Sequence, residues 1–216
     1  MTKITRPQTL GEEIANAVSH GIGAGLSIAG MIILIVTACV NNLGAMAIVS
    51  AVLYGTGLIL LYTFSSIYHS LTHEKAKFVF RVFDHCSIFL LILCTIIPVA
   101  LVMVGGWRGW TLFGLATACA VVGIVLNSIN LERWDKLSLV LYVIMGWFSV
   151  IFIRSILSAV ELSNFLIWLL GGGLCYTFGI IFYKDVKHKY MHFVWHIFVL
   201  AGSIMHYFFV LNYYLG

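Results

Sequence analysis

Seven long apolar runs constrain what this chain can fold into. A helix needs about 20 consecutive apolar residues to cross a hydrocarbon core about 30 Å thick, and each run is close to that length. The links between the runs are short, which leaves no room for an inserted soluble domain. We therefore expect residues 1–216 to form one membrane domain, with residues 1–17 as a short N-terminal segment. The predicted runs are 18–39, 44–70, 79–104, 109–130, 137–158, 163–183 and 191–213.

The composition agrees with helices that lie in a membrane. Hydrophobic residues make up 62% of the chain and charged residues 9%, whereas a soluble domain is about half apolar and about a quarter charged. No run alternates apolar and polar residues in the way that barrel strands do. The predicted fold class is therefore an all-α integral membrane protein, a bundle of seven transmembrane helices.

The lysines and arginines predict how this bundle is oriented. Ten of the twelve lie in the N-terminal tail or in the second, fourth and sixth links, and two lie on the other side. Because cytoplasmic segments of membrane proteins carry the excess of Lys and Arg, the N-terminus is predicted to be cytoplasmic and the C-terminus outside. The same bias accounts for the net charge of +4, which therefore does not indicate nucleic acid. The ten are Lys3, Arg6, Lys75, Lys77, Arg81, Arg133, Lys136, Lys184, Lys187 and Lys189, and the two are Arg108 and Arg154.

The polar lead before the first run carries a helix-start signal. Thr9 and Glu12 have the spacing of a capping box, in which each side chain bonds to the other residue's backbone N–H. Leu10, Ile14 and Val18 then fall on one helical face. This pattern predicts a short amphipathic helix on the membrane surface, and a frayed terminus is the alternative.

Four polar side chains from the second, third and seventh runs are predicted at the cytoplasmic ends of their helices. His69 ends the second run, Asp84 opens the third, and His192 and His196 open the seventh, one turn apart. Two imidazoles at i and i+4 share a helix face and can bind one metal ion. His69 as a third ligand would leave the fourth tetrahedral position open, as in a catalytic zinc site. Coincidental spacing is the alternative interpretation.

Asp84 is the one acidic residue predicted to lie inside a span, and an intramembrane acid indicates a functional site. It could orient or deprotonate a water on the metal, or form a structural ion pair with Arg81 one turn earlier. His20 shares the level of the four residues, whereas His206 lies about 15 Å further along the seventh helix than His196. His206 is therefore expected to be a polar contact between helices.

Three motifs in order carry a resemblance to a known family. Ser65 to His69 form S-x-x-x-H at the end of the second run, Phe83-Asp84 opens the third, and His192 to His196 form H-x-x-x-H. With these motifs, the lead SHGIGAGL and seven spans, the chain resembles the bacterial hemolysin III proteins, which belong with the progestin and adipoQ receptors (PAQR), the adiponectin receptors and the alkaline ceramidases. The resemblance implies a multi-pass protein of the bacterial inner (plasma) membrane. It also implies a zinc ion bound by His69, His192 and His196, with Asp84 holding a water on the metal and Ser65 nearby.

Three functional classes stay open on this resemblance, with membrane lipids as the expected partners. The first is a zinc-dependent hydrolase of a lipid amide, in which Asp84 takes a proton from the water and Ser65 hydrogen-bonds the developing oxyanion or the water on the metal. A hydroxyl bonded to the backbone one turn back is the alternative role for Ser65. The second class is a non-enzymatic sensor or regulator of membrane lipid homeostasis with structural zinc. The third is a cytolytic protein, which is disfavoured because the spans show no repeated polar stripe.

Overall fold

The computed structural model describes residues 7–216, and these residues form helices and no β-strand. Lys3 and Arg6, two of the basic residues that predict the orientation, lie outside the described residues. The α-helices are α1 Leu10–Val40, α2 Ala45–Ser70, α3 Glu74–Ile97, α4 Gly106–Gly146, α5 Ile153–Leu157, α6 Leu162–Asn164, α7 Gly171–Lys184 and α8 Met191–Leu215. Two π-helical segments, Pro98–Val104 and Phe165–Leu170, and one 3₁₀ segment, Phe148–Phe152, continue them.

Six helical stretches within the described residues are long and apolar enough to cross a membrane. The predicted class, an all-α integral membrane protein, is therefore confirmed. Large apolar side chains on the outer surface are about half exposed, for example Leu26 at 56% and Phe178 at 53%, as side chains that face lipid would be. The six stretches are Leu10–Val40, Ala45–Ser70, Glu74–Val104, Gly106–Leu157, Leu162–Lys184 and Met191–Leu215.

The 52-residue stretch Gly106–Leu157 joins the predicted fourth and fifth runs. The link predicted between those runs is helical, but the backbone at Asn130 leaves the helical region, with φ −161° and ψ 94°. The Asn130 side chain accepts a hydrogen bond from the backbone N–H of Arg133 at 3.0 Å, so it acts as the N-cap of a new helix. The Asn127 amide donates to the Tyr142 hydroxyl at 3.3 Å, although residues this far along a straight helix are separated by about 22 Å. The chain therefore reverses direction at Asn130.

Residues 10–17 form the first turns of α1, so the prediction of a separate surface helix is wrong. The capping box is confirmed, since the Thr9 hydroxyl accepts from the Glu12 N–H at 3.4 Å and the Glu12 carboxylate accepts from the Thr9 N–H at 2.9 Å. Glu12 and Asn16 are only 3% and 0% exposed. The polar face of this segment therefore packs against other helices and does not face water. The predicted apolar face is exposed and consists of Leu10, Ile14 and Val18.

The long helices pack largely in chain order around an internal chamber. α1 packs against α2 and α8, α2 against α3, α3 against α4, and α7 against α8. Pro98 has no backbone N–H to donate, and the chain passes from α3 into a π-helical segment at this residue. Val99 from this segment and Phe165 and Leu169 from the other π-helical segment line the chamber. π-Helical turns often occur beside functional sites.

Candidate metal centre

His69, His192 and His196 meet at one point inside the bundle. Each offers a ring nitrogen, and the three nitrogens lie within 4.8 Å of one another. The ring centroids are 5.2 Å apart for His69 and His192, 5.0 Å for His69 and His196, and 4.7 Å for His192 and His196. These three residues could hold a metal ion, and three imidazoles with an open fourth position are typical of zinc. The structure thus brings together the three histidines that the sequence indicates as ligands.

Helix ends place the three histidines in this arrangement. His69 lies in the last turn of α2, and His192 and His196 lie in the first turns of α8. Tyr190, just before α8, adopts the left-handed conformation with φ 61°, and its backbone N–H donates to the Glu12 carboxylate at 2.7 Å. This bond joins the start of α8 to the start of α1, so it fixes the position of His192 relative to α1.

The hydrogen bonding of His69 fits that of a metal ligand. Its Nδ1 lies 2.6 Å from a Glu13 carboxylate oxygen, whereas its Nε2 is buried and has no hydrogen-bond partner in the described part of the chain. A buried polar atom left unpaired costs about 1–3 kcal/mol, and a metal ion bound to Nε2 would remove that cost. His196 shows a related pattern, since its Nδ1 lies 3.4 Å from the Ser19 hydroxyl. The residues present therefore fit a zinc ion.

Asp84 and Ser65 line the same chamber as His192 and His196. Asp84 lies beside Ser65 and within electrostatic reach of His69. The Ser65 hydroxyl is buried and is not bonded to the backbone one turn back, which was the alternative for this residue. Among the described residues Arg81 lies 3.6 Å from Glu132 and not in an ion pair with Asp84. The Asp84 and Ser65 side chains therefore lie next to each other on the chamber wall.

An elongated chamber of about 150 Å³ extends from the histidine cluster into the bundle. His196 and His206 both line it, so it extends about 15 Å along α8. Most of the wall is apolar and includes Val99 and Phe165 near its far end. The His206 Nε2 lies 3.0 Å from the backbone oxygen of Leu169, so the predicted polar contact between helices is confirmed. The chamber is therefore largely apolar over a length of about 15 Å along α8.

Two polar residues of α1 contact the cluster although sequence reasoning assigned them no role there. Glu13 lies before the first predicted run, yet its carboxylate contacts His69. His20 is buried, and its ring is stacked on that of His196 with centroids 3.6 Å apart and an interplanar angle of 8°. A signal for both was present in the sequence, because Glu13, Asn16 and His20 are spaced i, i+3 and i+7 and so share one helix face.

His85 also lines the chamber, which its sequence position does not predict. A residue that follows Asp84 lies about 100° further around the helix. The His85 backbone oxygen accepts a hydrogen bond from the Tyr142 hydroxyl at 2.8 Å, which holds α3 against the second half of α4. Asp84 and His85 nevertheless both line the chamber.

The fold and the site define a polytopic helical membrane protein with a buried three-histidine centre beside an apolar chamber. The chain belongs to the family described as Haemolysin-III related, which matches residues 8–207. It is 41% identical to Hemolysin-3 of Bacillus cereus over 213 residues, which cover 99% of this chain and 95% of that protein. It is 38% identical to the Hemolysin-3 homolog of Bacillus subtilis (strain 168) over 205 residues, 95% of each chain.

A more distant relative is human. The chain is 24% identical to the monocyte to macrophage differentiation factor of Homo sapiens over 177 residues, which cover 76% of this chain and 70% of that protein. The resemblance to hemolysin III proteins is confirmed by these matches. With six apolar helices in the described residues and bacterial relatives that match over 95% of their length, the protein is a multi-pass protein of the bacterial plasma membrane.

Proposed function

We propose that the protein is a zinc-dependent hydrolase that cleaves the amide bond of a membrane lipid. The observation that carries this proposal is that His192 and His196 of the three-histidine cluster line a largely apolar chamber, which Asp84 and Ser65 line as well. An acyl chain in the chamber would keep its methylene groups out of water and bring its amide carbonyl to the histidines. The products would be a fatty acid and a lipid amine.

The roles of the residues follow from their chemistry. His69, His192 and His196 would hold the zinc ion, which when bound activates water and polarises a carbonyl group. Asp84 accepts a proton from the attacking water and can return it to the departing amine. The Ser65 hydroxyl donates a hydrogen bond to the carbonyl oxygen as negative charge develops there.

The proposal includes a single domain over residues 1–216 with seven membrane crossings, an N-terminus in the cytoplasm and a C-terminus outside. A straight helix over Gly106–Leu157 would be about 78 Å long, far more than a core of about 30 Å. The reversal at Asn130, followed at once by the charged residues Glu132 and Arg133, supports two crossings by this stretch. The bias of basic residues supports the orientation, which puts the metal centre on the cytoplasmic side.

Cysteine labelling tests this topology. In a chain whose native cysteines are replaced by alanine, Asn130→Cys and Gly216→Cys would be exposed in turn to a membrane-impermeant maleimide. We expect labelling at position 216 in intact cells and at position 130 only after the cells are opened. Labelling of position 130 in intact cells would contradict the orientation.

Metal content and lipid turnover test the function. The full-length protein, reconstituted in liposomes that contain an N-acyl sphingoid lipid, would be compared with His192→Ala, His196→Ala and Asp84→Asn. We expect zinc in the wild type and its loss from both histidine variants. Asp84→Asn should retain zinc while turnover falls by about 10²–10⁴-fold, the contribution of a general base. Asp185→Asn, in the loop before α8, is the matched acidic control and should retain both.

The possible outcomes test the metal site and the hydrolase activity independently. Full metal occupancy in both histidine variants would exclude the site, and bound zinc without turnover of any lipid amide would exclude the hydrolase. A non-enzymatic regulator of membrane lipid homeostasis is the second candidate, because a metal at this cluster would tie the end of α2 to the start of α8. That candidate predicts altered membrane fluidity in cells that lack the protein, without lipid turnover. The relative from Bacillus cereus bears the name Hemolysin-3, and lysis of erythrocytes by the purified protein would test cytolysis.

A further inference from the structure

Glu13 stands outside the proposed chemistry but contacts one of the three histidines. We propose that Glu13 is a positioning residue that holds the His69 imidazole in the tautomer and orientation that present Nε2 to the metal, and so sets the affinity for zinc. The inference rests on the proposed metal site. It assigns a role to the start of α1, which contributes no ligand.

The contact between Glu13 and His69 determines which ring nitrogen is free. A Glu13 carboxylate oxygen lies 2.6 Å from the His69 Nδ1, and the His69 side chain is 1% exposed. An ionised carboxylate only accepts hydrogen bonds, so Nδ1 carries the proton and Nε2 presents its lone pair. That Nε2 is the buried atom without a partner in the described residues. In zinc sites the ligating histidine usually donates its other ring N–H to a group such as a carboxylate, which fixes the orientation of the ring.

The second oxygen of Glu13 is held by another helix. The Lys77 Nζ of α3 donates to it at 2.8 Å. The carboxylate of α1 is therefore fixed between His69 on α2 and Lys77 on α3. A carboxylate held at both oxygens cannot rotate away from the imidazole without breaking the ion pair with Lys77, which favours a positioning role.

The start of α1 supports a second ligand in the same way. The Ser19 hydroxyl donates to the backbone oxygen of Asn16 at 2.9 Å, so towards the His196 Nδ1, at 3.4 Å, it acts as an acceptor. The His196 Nε2 is then the nitrogen left for a metal. The ring of His20 stacks on the ring of His196 and limits its rotation. One face of α1 therefore fixes two of the three ligands through atoms that are not ligands themselves.

Zinc affinity tests the role of Glu13 without reference to turnover. The full-length protein in detergent would be titrated with zinc against a chromophoric chelator, as wild type, Glu13→Ala and Lys77→Met. Loss of a second-shell partner weakens metal binding by about 10–100-fold, and we expect that rise in Kd for Glu13→Ala. Lys77→Met removes the other contact of Glu13 and leaves the bond to His69. Because that ion pair is partly exposed, we expect a change of less than about fivefold.

A second measurement determines the tautomer of the His69 ring directly. The ¹⁵N chemical shifts of the metal-free, histidine-labelled protein should show a proton on the His69 Nδ1 in the wild type and a mixed tautomer in Glu13→Ala. Unchanged zinc affinity or an unchanged tautomer in Glu13→Ala would overturn the proposal. Equal losses of zinc affinity in Lys77→Met and Glu13→Ala would also overturn it. The ion pair that holds α1 against α3 would then explain both losses, without any role for the contact with His69. A wild type that binds zinc without lipid turnover would refute the hydrolase while leaving this inference standing.

Discussion

Two adjacent glycines in α7 have different surroundings, so they offer a test of packing beside the chamber. A Cβ atom on Gly172 would lie 2.5 Å from the His206 Nε2, against the neighbouring Cδ2 as well, and 3.1 Å from the backbone oxygen of Gly202. A Cβ atom on Gly173 would meet only the Trp147 ring, at 3.8 Å, which is ordinary van der Waals contact. We predict that Gly172→Ala destabilises the protein and that Gly173→Ala does not.

The size of the destabilisation by Gly172→Ala follows from which groups must move to make room for the methyl group. The His206 ring is held by its bond to the Leu169 oxygen, so making room for a methyl group at Gly172 strains the packing and weakens that bond. Overpacking costs about 1–3 kcal/mol and a weakened hydrogen bond about 1 kcal/mol, while alanine returns up to about 1 kcal/mol of helix propensity. The net loss is about 1–3 kcal/mol for Gly172→Ala, against a gain of up to about 1 kcal/mol for Gly173→Ala.

Reversible unfolding in mixed micelles, followed by tryptophan fluorescence, would measure both free energies. The double variant Gly172→Ala/His206→Ala identifies the cause, because removal of the ring removes the clash. We expect Gly172→Ala to cost much less in the His206→Ala background than in the wild type, a non-additive pair. Equal stabilities of the two glycine variants, or strict additivity with His206→Ala, would refute the reasoning.

Two further predictions concern polar side chains, one in the proposed mechanism and one at a helix start. Ser65→Ala removes a buried hydroxyl that has no hydrogen-bond partner among the described residues, so it should lower the free energy of unfolding by less than about 1 kcal/mol. It should lower lipid turnover by about 10²–10³-fold, as loss of an oxyanion donor does. A normal turnover rate would remove Ser65 from the mechanism. Asn130→Ala removes the cap of the helix that follows the reversal and should cost about 1 kcal/mol in the same unfolding assay, while Asn130→Asp, which keeps an acceptor oxygen, should cost less.

The length of the apolar runs predicted the class of the protein, and the spacing of polar residues predicted which histidines meet. His192 and His196 share one face of any helix that contains both, and the ends of neighbouring spans bring His69 to the same level. Neither inference needs knowledge of packing. The position of Asp84 followed in the same way, because a carboxylate inside an apolar run needs a partner.

The link between the fourth and fifth runs shows where polarity alone is ambiguous. Arg133 and Lys136 are typical of a solvated loop, and the sequence therefore predicts a short link there. The Asn130 amide instead caps a new helix at once, so the charged residues occupy its first turns. Whether a polar cluster forms a loop or a capped helix start depends on one backbone conformation, and composition does not report it.

The start of α1 shows how polarity can predict the wrong surroundings. A helix on a membrane surface exposes its polar face to water and buries its apolar face in lipid. In α1 the polar face is occupied instead, since Glu13 contacts His69 and Lys77 and Glu12 contacts the N–H of Tyr190. The apolar residues of the opposite face are the ones left exposed on the outer surface. The first turns of α1 therefore close one side of the histidine cluster, and their amphipathic pattern reflects contacts beside the histidines more than the boundary of the membrane.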